Sequence, residues 1–296
     1  MPRIPIFDTN VFDHLERGLI SRADWKRLLN HRPQHGWSLS VVTALELLAG
    51  FDANPQGFLE SKQRISRAYS LSRGRILEDP RFLICKEILR IPFPDQPHPP
   101  SLLLSKHMDV IRRAASLSQL KTGVPYTLWR GAQLTATAVY DDVMAAAKQD
   151  WVRAVKRVAD ETYRDWREEE KLNGKRLPRE KRRELKQQSY WQRQRASFID
   201  SLLKWLGASS NTATITDMSQ RLDAVLDFTI FVSRSFLLSN YSAEDHDSDL
   251  FDMFQLQYLA MDRFVIVTAD RPLLNRTKES SQAHRIMSFD QFLHTL

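Results

Sequence analysis

The stretch Asp249-Leu-Phe-Asp252-Met-Phe-Gln-Leu-Gln-Tyr-Leu-Ala-Met-Asp-Arg-Phe264-Val-Ile-Val-Thr268-Ala-Asp270 decides the fold. Its first half carries Phe251, Phe254, Leu256 and Leu259 at roughly helical spacing, so it reads as a helix with one apolar side. After Met261-Asp262-Arg263 the chain enters Phe264-Val-Ile-Val267. That run is short, apolar and β-branched, which suits a strand covered on both faces, as in a parallel sheet. The strand ends on Thr268-Ala-Asp270. Open parallel sheets present their chemistry at the carboxyl ends of strands, so Asp270 stands where a site is expected. Asp249 and Asp252 open the preceding helix, where the helix dipole favours carboxylates.

Two earlier segments repeat the pattern. Pro5-Ile6-Phe7-Asp8-Thr9-Asn10 is a short apolar strand ending on an acid, with a hydroxyl and an amide beside it. Ser38-Leu39-Ser40-Val41-Val42-Thr43-Ala44-Leu45-Glu46 runs from a strand into a helix whose first turns carry Glu46. Asp8, Glu46, Asp252 and Asp270 are thus all associated with strand ends. Each has a structural reading of its own: Asp8 and Asp252 as helix caps, Asp270 as a turn residue before Pro272. Gathered on neighbouring strand ends, they would repel one another unless a cation sat among them. Hard oxygen donors in such a cluster are what Mg²⁺ or Mn²⁺ requires.

Asp8-Thr9-Asn10 after the first strand, Thr43-Ala-Leu-Glu46 in the helix after the second and Thr268-Ala-Asp270 after a late strand resemble the PIN-domain family. Asp252, eighteen residues before Asp270, fits that pattern better than Asp249 does. The resemblance covers about residues 1–60 and 240–296. It implies a three-layer α/β/α sandwich around a central parallel sheet, and a metal-dependent ribonuclease. Carried over by residue, it makes Asp8, Glu46, Asp252 and Asp270 ligands, direct or through water. Asn10 and Thr268 become supporting residues. Asp249, one helical turn before Asp252, reads from that spacing as an outer ligand or a solvated helix-start acid. Glu46 and Asp252 lie 206 residues apart, much further than in compact members. Residues 1–94 and 241–296 are therefore expected to form the core, and 95–240 a helical insertion.

The remaining totals bound the function classes. The 296 residues, 42% hydrophobic and 27% charged, can bury a large core and do not read as broadly disordered. No apolar run approaches the roughly 20 residues of a membrane helix, and the N-terminus does not read as a signal peptide. The single cysteine, Cys85, makes neither an intrachain disulfide nor a cysteine-rich metal site, so a cytoplasmic location is the default expectation. No Gly-rich phosphate loop or serine nucleophile elbow is present.

The order of elements reads as a strand at 3–8, helices at 11–18 and 21–30 with Ser21 as cap, and a strand at 37–41. A helix at 43–49 closes near Gly50. Helices follow at 58–72 and 80–87, then an edge strand at 88–93 and a proline-rich connection to Pro100. Residues 101–121, 131–172 and 179–206 read as mainly helical. Residues 207–216 read as a loop, and 217–238 as one helix capped by Asp217. An edge strand at 285–289 and a helix at 291–296 end the chain.

The net charge of +7 lies entirely in residues 151–195, which hold 15 Lys or Arg against 8 Asp or Glu. Trp151, Tyr163, Trp166, Tyr190 and Trp191 are interleaved with those charges. Such a hairpin could follow a phosphate backbone while its rings stack on bases. It could equally be a helical hairpin with rings inward and self-paired charges outward. Lys175, Arg176, Arg179, Lys181, Arg182 and Arg183, around its tip, are the candidate nucleic-acid contacts. The function expected from the resemblance is Mg²⁺- or Mn²⁺-dependent cleavage of single-stranded RNA, toxin-like or defence-associated in role. An inhibitor of antitoxin type and an oligomeric state stay open as partners. A nuclease acting on structured DNA and a catalytically silent RNA-binding scaffold are the alternatives.

Overall fold

A computed structural model of the chain describes residues 3–34, 36–48, 57–94, 101–116, 187–238 and 248–296, with short pieces at 118–119, 126–127, 133–134, 145–146, 148–149, 152–153, 183 and 246. The chain is mixed α/β and mostly helical. It begins with β1 (Ile4–Phe7), α1 (Thr9–Glu16), α2 (Arg22–Asn30), β2 (Ser38–Leu39), α3 (Val41–Leu48) and α4 (Phe58–Ser72). Next come α5 (Pro80–Leu83), running into a π-helical turn at Ile84–Leu89, α6 (Ser101–Arg113) and a small hairpin of β3 (Tyr126–Thr127) with β4 (Gln133–Leu134). The second half holds α7 (Gln188–Trp205), α8 (Thr212–Arg221), α9 (Asp223–Leu238), α10 (Asp249–Leu256), β5 (Phe264–Thr268), α11 (Arg271–Arg276), β6 (Ile286–Ser288) and α12 (Phe289–Leu293).

The main sheet has four strands in the order β2-β1-β5-β6, and every pairing is parallel. All five residues of β5 are buried, as the continuous apolar run requires of a central parallel strand. β1 pairs with β2 on one side and with β5 on the other, Phe7 lying opposite Leu39 and Val267. The chain therefore winds outward from β1 to β2, returns beside β1 as β5, and winds outward the other way to β6. The strand order reverses between β1 and β5. In such sheets the crevice outside the strand ends at the reversal is where ligands bind.

Several local rules act as the sequence implies. Ser21 caps α2 by accepting from Asp24 N–H at 3.0 Å. Ser288 caps α12 in a reciprocal box with Gln291. At Gly36 φ is +83°, and an added Cβ would stand 2.3 Å from the Ser72 carbonyl oxygen, so glycine alone lets the end of α4 pack against the loop entering β2.

Four elements differ from expectation. Residues 88–93 form no strand: the π-helical turn runs to Leu89 and ends on left-handed Arg90. The sheet is extended instead by a parallel bridge from Leu39 to Ile76, with Leu77 N–H donating to Leu39 O at 2.8 Å. Ile88 and Leu89 are taken up by the helical turn, and Pro92 lacks the N–H that a ladder needs, so the apolar run makes no edge strand. Residues 212–216, read as loop, form the start of α8, where Asn211 caps by accepting from Thr214 N–H at 2.9 Å. Asp217 is not a cap; it pairs with Arg221 one turn on, and the segment is two helices, α8 and α9, with Leu222 between them. Gln133–Leu134 is strand rather than helix, while most of 131–172 and Gly50 lie outside the described residues.

One cluster of buried side chains joins the sheet to Leu104, Met108 and Ile111 of α6 and to Ile199, Leu203, Met218, Val225 and Phe228 of α7 to α9. Two buried polar side chains brace the approach to β5. Arg285 donates to the carbonyls of Leu259, Met261 and Phe264, holding the turn between α10 and β5. Tyr258 donates its hydroxyl to Glu78 O at 2.7 Å and accepts from Val41 N–H at 3.3 Å, tying that same turn to the start of α3. Among the described residues no helix is long and apolar enough to cross a membrane.

Candidate functional site

The reversal point of the sheet places Asp8 beside Thr268. Asp8 N–H donates to Val267 O at 2.9 Å, continuing the β1–β5 pairing by one step. The Asp8 carboxylate is buried, 5% exposed. Its Oδ1 accepts from Thr9 N–H at 2.8 Å, and its Oδ2 accepts from the Thr268 hydroxyl at 2.7 Å and the Asn10 amide at 3.1 Å. The Thr268 hydroxyl in turn accepts from Asp270 N–H at 2.9 Å. Asp270 Oδ1 accepts from Leu273 N–H at 3.2 Å. Asp8 therefore caps α1, as its local reading allows; Asp270, read as a turn residue, caps α11, whereas Asp252, read as a cap, lies inside α10, which starts after Ser248.

Capping does not account for Glu46 and Asp252. Glu46 lies in the interior of α3 and accepts from the Thr9 hydroxyl, so α1 and α3 meet at this pair. Asp252 lies in the first turn of α10. The electrostatics show how closely the acids gather. Burial pushes Glu46 up to about 8, and the negative charge of Asp8 adds to the shift. Burial also holds Asp252 well above the usual carboxylate range, reinforced by repulsion from Asp8, Asp270, Glu46 and Asp249. The Asp8 carboxyl is raised by burial, against the lowering effect of Thr268, Asn10 and Thr9, and Asp270 raises it further. Asp252 thus lies within electrostatic reach of Asp8, Asp270 and Glu46, and Asp8 within reach of Asp270 and Glu46, although the four are widely separated in sequence.

Asp249 is held differently. Its side chain is buried and receives a 2.6 Å charge-assisted hydrogen bond from Arg276 in α11. The Arg276 guanidinium also lies over the Phe228 and Phe231 rings of α9, at 5.5 and 5.0 Å from their centroids. The pair clamps the helix that carries Asp252 to the helix capped by Asp270. Nothing in the sequence marks Arg276 for this role. Thr9 is adjacent to Asp8 but gave no sign that its hydroxyl would reach Glu46. Asp13, one helical turn after Thr9, also raises Glu46 and pairs with Arg64 at 2.6 Å. Lys148, from the region between the two halves of the acid set, acts on Glu46 in the opposite direction.

The donor set is carboxylate and hydroxyl oxygen, with Asp8 buried and Glu46, Asp252 and Asp270 half-buried, a chemistry that suits a hard divalent cation. Among the described residues, however, no group of three or more His, Cys, Asp or Glu side chains is arranged so that it could hold a metal ion. Asp8 and Glu46 are engaged by hydroxyl, amide and N–H donors of the chain itself.

Of the candidate nucleic-acid contacts, Arg183 is exposed, while Lys175, Arg176, Arg179, Lys181 and Arg182 lie outside the described residues, as do Trp151, Tyr163 and Trp166. Trp191 is buried, packed edge-on against Tyr190, which agrees with an inward-facing ring. Cys85 is buried and its thiol is pushed up to about 11, the wrong direction for a nucleophile. Burial lowers the His107 imidazole to about 4, so it is neutral near pH 7. Compared with protein-family models, curated proteins and solved structures, the chain finds no match in any of the three.

Proposed function

We propose that this chain is a Mg²⁺- or Mn²⁺-dependent endoribonuclease that hydrolyses phosphodiester bonds of single-stranded RNA. Its core would be a PIN-like three-layer α/β/α sandwich of residues 1–94 and 241–296, with 95–240 as the inserted helical segment. The observation that carries this reading is the convergence of Asp8, Glu46, Asp252 and Asp270 on the reversal point between β1 and β5, where burial and mutual repulsion hold Asp8, Glu46 and Asp252 above the ordinary carboxylate range. Divalent ions bound there would activate a water and steady the leaving oxygen of the phosphodiester.

The chain's own residues divide the work. Asp8, Glu46, Asp252 and Asp270 supply oxygen ligands. Thr268 and Asn10 orient Asp8, and Thr9 orients Glu46. Arg276 pairs with Asp249 and ties the start of α10 to α11, next to Asp252 in the same helical turn. Lys175, Arg176, Arg179, Lys181, Arg182 and Arg183 are proposed to follow the RNA backbone, with a protein inhibitor of antitoxin type as a proposed partner.

The test is cleavage of a mixed pool of single-stranded RNA and DNA with Mg²⁺, Mn²⁺ or chelator, comparing wild type with Asp270→Asn and Asp8→Asn. RNA cleavage that needs metal and is lost in both variants is the expected result. Cleavage of DNA in preference to RNA would move the reading to a DNA nuclease. RNA binding that is unchanged in both variants, with no cleavage by any of the three proteins, would replace it with a binding scaffold.

A further inference from the structure

Beneath the acids runs a second, uncharged layer of polar side chains. Ser40 and Thr43 are fully buried and Gln255 is 2% exposed. Thr43 N–H donates to Ser40 Oγ at 2.8 Å, which joins the two residues without using either hydroxyl proton. The Thr43 hydroxyl then donates to Phe7 O at 3.0 Å, and the Ser40 hydroxyl donates to Gln255 Oε1 at 2.6 Å. The result is a continuous link from β1, through the start of α3, to α10.

Each end of this link stands one step from an acid. Phe7 immediately precedes Asp8. Thr43 lies three residues before Glu46 on α3, and Gln255 three residues after Asp252 on α10, the spacing at which helical residues share a side. A serine that merely capped α3 would need only its bond to Thr43 N–H. The contacts to Phe7 and Gln255, 36 and 215 residues away in sequence, are additional. Gln255 supplies its acceptor without charge, so it braces α10 without adding to the repulsion among the carboxylates. Its amide nitrogen makes no hydrogen bond among the described residues, so the side chain is engaged through the oxygen that faces Ser40.

We propose that Thr43, Ser40 and Gln255 form a buried positioning chain that sets the spacing of Asp8, Glu46 and Asp252, and thereby the affinity of the acidic site for a divalent ion. The inference rests on the metal-site reading above. Outer residues of this kind commonly tune metal affinity by about 10–100-fold without touching the ion.

The experiment compares wild type, Thr43→Val, Thr43→Ser, Gln255→Leu and Asp8→Asn. Mn²⁺ affinity is measured by calorimetric titration, and amide hydrogen exchange is followed over residues 41–48 and 249–256 without metal. Thr43→Val keeps the shape and loses the hydroxyl, so it should weaken Mn²⁺ binding about tenfold and speed exchange in both helices. Gln255→Leu should do the same. Thr43→Ser should stay within about twofold of wild type, a rescue that packing alone would not give. A folded Thr43→Val protein with wild-type Mn²⁺ affinity and wild-type exchange overturns the proposal, as does equal weakening by Thr43→Ser. Absence of Mn²⁺ binding by wild type, or wild-type binding by Asp8→Asn, overturns the metal-site reading instead. In that case faster exchange in both helices of Thr43→Val would still support the link between strand and helices, and unchanged exchange would refute it.

Discussion

Glu46→Gln isolates the electrostatic cost of the acidic site. An ordinary glutamate ionises near 4.5, whereas Glu46 in the folded chain is pushed to about 8, first by burial and then by Asp8. Because the folded state holds this proton more tightly than the unfolded state, stability is greatest below the ordinary value and falls as pH rises through about 8. At ~1.4 kcal/mol for each tenfold change in proton affinity, ionising Glu46 alone would cost at most about 5 kcal/mol. Asp8 shares the cluster and is raised as well, so part of the strain is relieved by protonation there, and about 2–3 kcal/mol is the expected net effect. Glutamine keeps the oxygen that accepts from Thr9 and removes the charge. The assay is urea unfolding in chelator from about pH 5 to about pH 9. Wild type should lose about 2–3 kcal/mol more than Glu46→Gln across that range, and saturating Mn²⁺ should close the gap by stabilising wild type selectively. Parallel stability curves for the two proteins would refute the argument that Glu46 is held protonated by burial and its neighbours.

Two further predictions concern the scaffold. Arg276→Ala leaves Asp249 buried without its arginine and strips the cation from Phe228 and Phe231, so a loss of about 3–5 kcal/mol is expected in urea unfolding; Asp249→Asn together with Arg276→Ala should recover part of it. Arg285→Met removes donors from the carbonyls of Leu259, Met261 and Phe264, and should cost about 2–4 kcal/mol and speed amide exchange at the entry to β5. Full stability of either variant would show that its arginine is dispensable.

Much of the sheet was legible in the sequence because its signals are local. The apolar run Phe264–Val267 requires burial on both faces, and β1 and β6 followed from similar short runs. The helix start at Ser21 followed from capping. What failed were contacts whose partners are distant. The edge at Ile76 was missed because its bridge to Leu39 leaves no run of strand-like residues. The boundary between α8 and α9 was missed because the helical pattern continues through it.

The candidate site divides in the same way. The sequence alone determined that Asp8 and Asp270 would stand at strand ends and Asp252 in a first helical turn, since strand length, turn chemistry and helix dipoles act within a few residues. It also determined that Thr268 and Asn10 would lie beside those acids. Only tertiary structure decided that β5 returns next to β1, which puts Thr268 against Asp8. Only tertiary structure gave Asp249 to Arg276, Glu46 to Thr9, and Ser40 to Gln255. Those choices depend on packing and charge across segments far apart in the chain, where burial sets both the repulsion among carboxylates and the partners that relieve it.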